Sequence, residues 1–270
     1  MENLKTQWYR DGYIIFPNFI DETEVEQLRG ICDRILEQIQ AKRQASEDFK
    51  DVTNIAYLTE THYFQDDFSP LIQLLEFMGG CKIRGILEEI AGETPLFHNS
   101  QYFYQPKWAS WDGNWHRDSQ FDAPDSELEK VRMQELTGVH FRVAFLEDDR
   151  LEFVPGSQKR WDTEVEFNIR KGKNPSFFDM PDRQRIHLRS GDACLFHAWG
   201  IHRGSYHIDK PRRTLDIIYG WGGKCYFIPP PTCFSAPSIL ASLSEPARQF
   251  FAHFIETYQQ AWPDKTSRTR

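Results

Sequence analysis

Apolar residues change their spacing near Leu96 of this 270-residue chain and again near its end, and those changes predict its architecture. Tyr13-Ile14-Ile15-Phe16 reads as a short strand closed by Pro17. After Asp21, Val25, Leu28, Ile31, Ile35 and Ile39 recur at intervals of three and four, which is one face of a helix. Asp21 or Thr23 would cap it, with acidic residues in the first turn. Residues 44–69 are polar and irregular and predict a loop or flap. A second helical pattern runs from about Leu71 to Ile90 and stops near Gly92.

From Leu96 the texture becomes short strand-like pieces between Gly, Pro and Asp: 98–105, 138–147, 151–154, 185–188, 193–196, 201–207, 213–221 and 225–228. Long helical periodicity returns only at 236–262. Successive short strands predict a mostly β fold, a barrel or jelly roll, rather than a parallel sheet alternating with helices. Without repeats or a linker, the reading is one domain over 1–270. Mainly helical support fills 1–95, the β core 96–230, and a C-terminal helical extension 231–270.

Composition narrows the partners. The formal charge of −8 disfavours a phosphate backbone as ligand, so no nucleic acid is expected. No apolar run approaches the roughly 18 residues that span a bilayer, and the N-terminus lacks the apolar core of a signal peptide, so the expectation is a cytoplasmic protein without a membrane partner. Cys32, Cys81, Cys194, Cys225 and Cys233 are odd in number and scattered, which predicts buried free thiols rather than a zinc ribbon or disulfide framework. A monomer or homodimer is expected.

The candidate chemistry begins at Trp115-His116-Arg117-Asp118. His-Arg-Asp occurs in kinase catalytic loops, but the Asn expected five residues after the Asp is Ala123 here, and no Asp-Phe-Gly follows. As His-x-Asp on a strand, the same residues present an imidazole and a carboxylate on one face. A two-His-one-carboxylate metal site then needs a further His from a late strand. The segment 191–220 offers His197, His202 and His207, and spacing alone leaves the choice open.

The order His116-x-Asp118, Leu151-Glu-Phe-Val-Pro-Gly-Ser157, Gly191-Asp192, Phe196-His197, His202-Arg-Gly204 and Arg212-Arg213 resembles the phytanoyl-CoA dioxygenase family of iron- and 2-oxoglutarate-dependent oxygenases. The resemblance covers most of the chain, including Tyr9-Arg-Asp-Gly12-Tyr13 at its start. It implies a double-stranded β-helix (jelly roll, cupin-like) core, iron(II) held by His116, Asp118 and His202, and 2-oxoglutarate and O₂ as cosubstrates. Arg213, 11 residues after His202, matches the 2-oxoglutarate anchor, with Arg212 expected to face away. Halogenating relatives have Gly or Ala in place of Asp118, so its carboxylate implies oxygen transfer to a C–H bond with release of succinate and CO₂.

Other residues complete the expected site. Gln101 is placed beside 2-oxoglutarate or substrate, and Arg142 is assigned an anion-binding role. Phe103, Trp115, Phe121 and His140 are assigned to the pocket of a small polar or carboxylated substrate. Arg117 and Arg203 are read as surface charge. The competing reading is a cupin-like binding protein or zinc-dependent hydrolase with the same three ligands.

Overall fold

A computed structural model of the chain describes residues 3–46, 51–65, 67–123, 125–134, 138–172, 179–222 and 231–262. Helix α1 (Leu4–Asp11) ends at Gly12, whose φ of 78° is a left-handed cap that an L side chain resists. Strand β1 (Tyr13–Phe16) and α2 (Glu22–Ala45) follow as the apolar spacing predicts. Asp21 and Glu24 form a reciprocal capping box at the start of α2. Its buried stripe is Val25, Leu28, Ile31, Cys32, Ile35 and Leu36. The expected loop at 44–69 contains a short strand, β2 (Asn54–Ala56). The single helix expected near 71–90 is two, α3 (Ser69–Gly79) and α4 (Cys81–Ala91), because Gly80 is extended with ψ of 160°.

The β core is built from β3 (Leu96–Tyr104), β4 (Trp111–Asp112), β5 (Val139–Ala144), β6 (Asp148–Phe153), β7 (Gln184–Leu188), β8 (Ala193–His197), β9 (His202–Tyr206) and β10 (Arg213–Gly220). Two antiparallel sheets result, one ordered β1-β8-β5-β10-β3-β2 and the other β4-β9-β6-β7. This is the jelly roll expected. Three short helices between strands, α5 (Ser119–Asp122), α6 (Ser126–Arg132) and α7 (Glu164–Lys171), are too brief to show as long periodicity. The C-terminal helical pattern divides into α8 (Pro237–Ala241) and α9 (Glu245–Tyr258). The strand expected at 225–228 and Cys225 lie outside the described residues.

The larger sheet has two unlike faces. Val139, Phe141 and Val143 of β5 and Leu215, Ile217 and Tyr219 of β10 join the core that packs under the helices, with Leu71, Leu75, Phe250 and Phe254. Their alternates, His140, Arg142, Asp216 and Ile218, turn to the interior between the sheets, where a cavity opens. Residues two apart share a face, so one apolar row against the helices fixes which residues reach the cavity.

Arg117 and Arg203, read from sequence as surface charge, are buried. Arg117 is completely enclosed and donates through Nε and Nη2 to Asp162 Oδ1 at 2.9 and 2.7 Å. It also donates to the backbone carbonyls of Ser157, Trp199 and Arg160. Asp162 in turn accepts from Arg170 at 2.8 Å, and Arg170 bridges to the buried Glu129. Arg203 donates to Glu152 at 2.7 Å and lies 4.5 Å over the Trp115 ring. Of the described cysteines, Cys32, Cys194 and Cys233 are buried free thiols as expected, while Cys81 is exposed.

Arg117 ties three loops to one guanidinium, so Arg117→Met should lower stability by about 3–5 kcal/mol through unpaired buried acceptors. Urea unfolding checks this; a loss under about 1 kcal/mol would show the network to be dispensable.

Candidate metal centre

Three ligand atoms converge at one end of the interior cavity. His116 and His202 face each other across an isolated antiparallel bridge, with His116 N–H donating to His202 O at 3.0 Å and His202 N–H to His116 O at 2.9 Å. Asp118 is not on a strand with His116; it stands just before α5 in helical backbone, and its N–H donates to Ala198 O at 2.9 Å. Candidate donor atoms of His116, Asp118 and His202 all lie within 4.8 Å of one another. Asp118 Oδ1 is 3.5 Å from His116 Nε2 and 3.7 Å from His202 Nε2.

The hydrogen bonds behind the ligands set their tautomers. His116 Nδ1 lies 2.7 Å from Asn114 O, and His202 Nδ1 lies 2.9 Å from Gly200 O. A carbonyl only accepts, so each Nδ1 carries the proton and each Nε2 turns a lone pair to the centre. Burial, then the neighbouring His116, pushes His202 down to about 3, which keeps it neutral. Burial works to raise the Asp118 carboxyl, but the His140 hydrogen bond and the surrounding imidazoles outweigh it and hold the group well below the usual carboxylate range. His140 Nε2 donates to Asp118 Oδ2 at 2.8 Å, leaving Oδ1 for a metal. Two imidazoles and one carboxylate oxygen suit a divalent first-row metal such as iron(II).

The cavity runs from this triad along the larger sheet and encloses about 370 Å³. Its lining includes Gln101, Phe103, Phe121, His140, Arg142 and Arg212. A side lobe of about 240 Å³ also touches Asp118, Gln101 and Phe121 and adds Tyr57, Asn99 and Trp199. Gln101, Phe103 and Phe121 all border this space, with Phe121 71% exposed.

Arg213 and Arg212 exchange the positions expected of them. Arg213 shares the face of Leu215, Ile217 and Tyr219, and its Nε donates to Asp33 of α2 at 2.8 Å and its Nη1 to Gln105 at 2.6 Å. Arg212 points into the cavity, buried, with Nε 3.2 Å from Asp148. Its Nη2 also donates to Asp148 Oδ2 at 3.4 Å, but among the described residues its Nη1 and the neighbouring buried Thr214 Oγ1 lack hydrogen-bond partners. Counting 11 residues from His202 selects Arg213; the alternation of Leu215, Ile217 and Tyr219 selects Arg212. The second signal was present in the sequence and is the physically constrained one.

Three further residues differ from expectation. Trp115 is fully buried in a separate apolar cluster with Val154, Ile169, Met180 and Ile201, so it does not meet the cavity. Arg142 reaches the cavity, but Asp216 already receives its Nε and Nη2 at 2.6 and 2.7 Å, so its charge is cancelled. His140 lines the cavity, yet it is committed to Asp118 on one side and stands 3.6 Å from Asp216 on the other. These partners were not legible because each lies on a distant element of the chain: Asp216 faces Arg142 directly in the β5–β10 register, and Asp118 stands before α5.

Residues 8–214 match the phytanoyl-CoA dioxygenase family. The chain is 21% identical over 269 residues, 80% of its length and 90% of the relative's, to a phytanoyl-CoA dioxygenase domain-containing protein 1 homolog of Caenorhabditis briggsae. Among solved structures, EctD from S. alaskensis, with 2-oxoglutarate and 5-hydroxyectoine, is similar in fold at TM-score 0.57 and 18% identity, over 80% of this chain and 74% of that one. The epimerase SnoN, in complex with Fe3+, alpha ketoglutarate and nogalamycin RO, gives 0.51 and 22% over 82% and 83%. The chain thus belongs to the phytanoyl-CoA dioxygenase family of iron- and 2-oxoglutarate-dependent oxygenases.

Proposed function

We propose that this enzyme oxidises an unactivated C–H bond of a small, uncharged polar molecule, with conversion of 2-oxoglutarate to succinate and CO₂. One observation carries the reading: a triad of open lone pairs at one end of the cavity, and in its wall the guanidinium of Arg212, whose Nη1 has no partner among the described residues. The planar guanidinium suits the remote carboxylate of 2-oxoglutarate, so Arg212 takes the role the resemblance gave to Arg213.

In this reading His116 Nε2, His202 Nε2 and Asp118 Oδ1 hold iron(II) and leave coordination positions open. Bound iron, with 2-oxoglutarate and O₂, supplies the oxidising power. The protein orients the carbon and excludes water. Gln101 and Phe103 line the way along the cavity, and Phe121 closes over the His116 ring at 5.5 Å. The side lobe beside Asp118 is where substrate is placed. Apart from Asp118 its described lining bears no charged group: its polar members are Tyr57, Asn99, Gln101 and His98, whose imidazole burial pushes down to about 3 and so keeps neutral. With Arg142 neutralised by Asp216, no spare cation there favours a carboxylated substrate. The Asp118 carboxylate occupies the position a halide would need, which favours oxygen transfer. Unpaired cysteines suit a reducing cytoplasm.

Anaerobic addition of iron(II) and 2-oxoglutarate should give the weak visible band of the chelate, and Asp118→Ala and His202→Ala should abolish it and all succinate formation. Full turnover in either variant would sink the assignment; tight zinc binding with no affinity for 2-oxoglutarate would point to a hydrolase. Arg212→Ala should weaken 2-oxoglutarate binding about 100-fold, equivalent to about 2.7 kcal/mol, whereas Arg213→Ala should change it less than about threefold. The reverse order, in a titration of succinate formation against cosubstrate, would restore Arg213 as anchor. His140→Ala frees Asp118 Oδ2 and should weaken iron binding by about 10–100-fold; unchanged affinity by metal titration would remove His140 from that role.

A further inference from the structure

On the far side of β8 from the metal cavity lies a second cavity of about 400 Å³. The alternation of β8 separates them: Phe196 lines the first, and the next residue, His197, lines the second. The two share no lining residue. Trp8 and Tyr9 of α1, Trp161 and the cations Lys130, Lys159 and Arg160 surround the second. No carboxylate is in its described lining, a notable local imbalance in a chain of net charge −8.

His197 supplies a directed group in the wall. It is more than nine-tenths buried, and its ring stacks on Trp8 with centroids 5.4 Å apart. The Trp199 N–H donates to its Nδ1 at 3.1 Å, so Nδ1 is the acceptor and the proton sits on Nε2. Burial, then the nearby Arg117, pushes this imidazole down to about 3, so it is a neutral donor. Among the described residues no acceptor meets Nε2. Gln158 Oε1 is a further buried atom without a partner in a residue lining the same cavity.

The cations frame the opening unequally. Lys130 and Arg160 are already paired with Glu127 and Glu166. Lys159 lies 4.8 Å over the Tyr9 ring and has no described carboxylate in ion-pair range. Lys130 lies 5.1 Å over Trp161. A neutral N–H donor, an ammonium without a carboxylate partner that donates only to the Arg10 carbonyl at 3.4 Å, and flat aromatic walls suit one kind of guest, a planar ring bearing a single carboxylate.

We infer that this cavity is a second ligand site, separate from the metal centre, that binds a small aromatic carboxylate between His197 and Lys159. The site is one hydrogen bond from the segment that seats the metal ligands. Trp199 N–H bonds His197, Ala198 O receives the Asp118 N–H, and the same segment leads into His202.

The test is calorimetric titration of the full chain with benzoate, with and without saturating 2-oxoglutarate, and with uncharged benzamide as control. One saturable site is expected, indifferent to 2-oxoglutarate and to Arg212→Ala. Lys159→Glu, a surface change that leaves the core untouched, should weaken benzoate about tenfold or more, and benzamide should bind the wild type at least tenfold more weakly. His197→Phe keeps a ring on Trp8 and removes the donor, and should weaken benzoate similarly with circular dichroism unchanged. Competition by 2-oxoglutarate, loss in Arg212→Ala, or no saturation below about 10 mM would each overturn the proposal. So would wild-type affinity in Lys159→Glu. None of these measurements requires bound iron, so they stand apart from the test of the oxygenase reading.

Discussion

The two-residue period of one sheet is the constraint on which this molecule depends. On β5 and β10 every second side chain is apolar and packs beneath the helices, as Phe141, Val143, Leu215 and Ile217 do. Burial of such a side chain is worth about 1.5–3 kcal/mol, so a shift by one residue would forfeit several of these contributions together. The intervening residues have no freedom of facing. His140, Arg142, Asp216 and Arg212 are carried to the cavity because their neighbours are held on the other side. The polar interior is thus specified by hydrophobic packing, and Arg142 and Asp216, directly opposed, neutralise one another where either alone would be a costly buried charge.

A second layer of order comes from buried arginines. Arg117 separates the two proposed ligands His116 and Asp118 in sequence, and its side chain leaves the cavity altogether to bind Asp162 and three carbonyls. Arg203, next to His202, does the same toward Glu152. Each of the two candidate histidine ligands is therefore followed by an arginine anchored behind it. Such anchoring restricts the loops that carry the imidazoles and carboxylate without any contact with the metal itself.

Most of the fold and part of the site were legible in the sequence. Spacing of Val25, Leu28, Ile31 and Ile35 located a helix and its buried face, and strand patterns located most of the jelly roll. Helices α5, α6 and α7 escaped because they span too few turns for periodicity to register. The three candidate ligands were found through the order of motifs, and they do converge. Arg117 and Arg203 were misread because composition treats arginine as exposed, whereas a planar guanidinium with enough acceptors can be fully buried. Trp115 was misplaced because adjacency to a ligand in sequence does not fix which side of the sheet a ring occupies.

The backbone bridge between His116 and His202 has a further consequence. These imidazoles are held by main-chain hydrogen bonds of 2.9 and 3.0 Å, and each Nδ1 is fastened to a carbonyl two residues before it. Little conformational entropy remains to be lost when a cation arrives. The contrast is with small zinc modules, in which metal affinity and folding are one equilibrium. Here the imidazoles are positioned by the fold's own hydrogen bonds, so chelation of a bound cation is expected to lower stability by its binding free energy and yet leave the barrel folded.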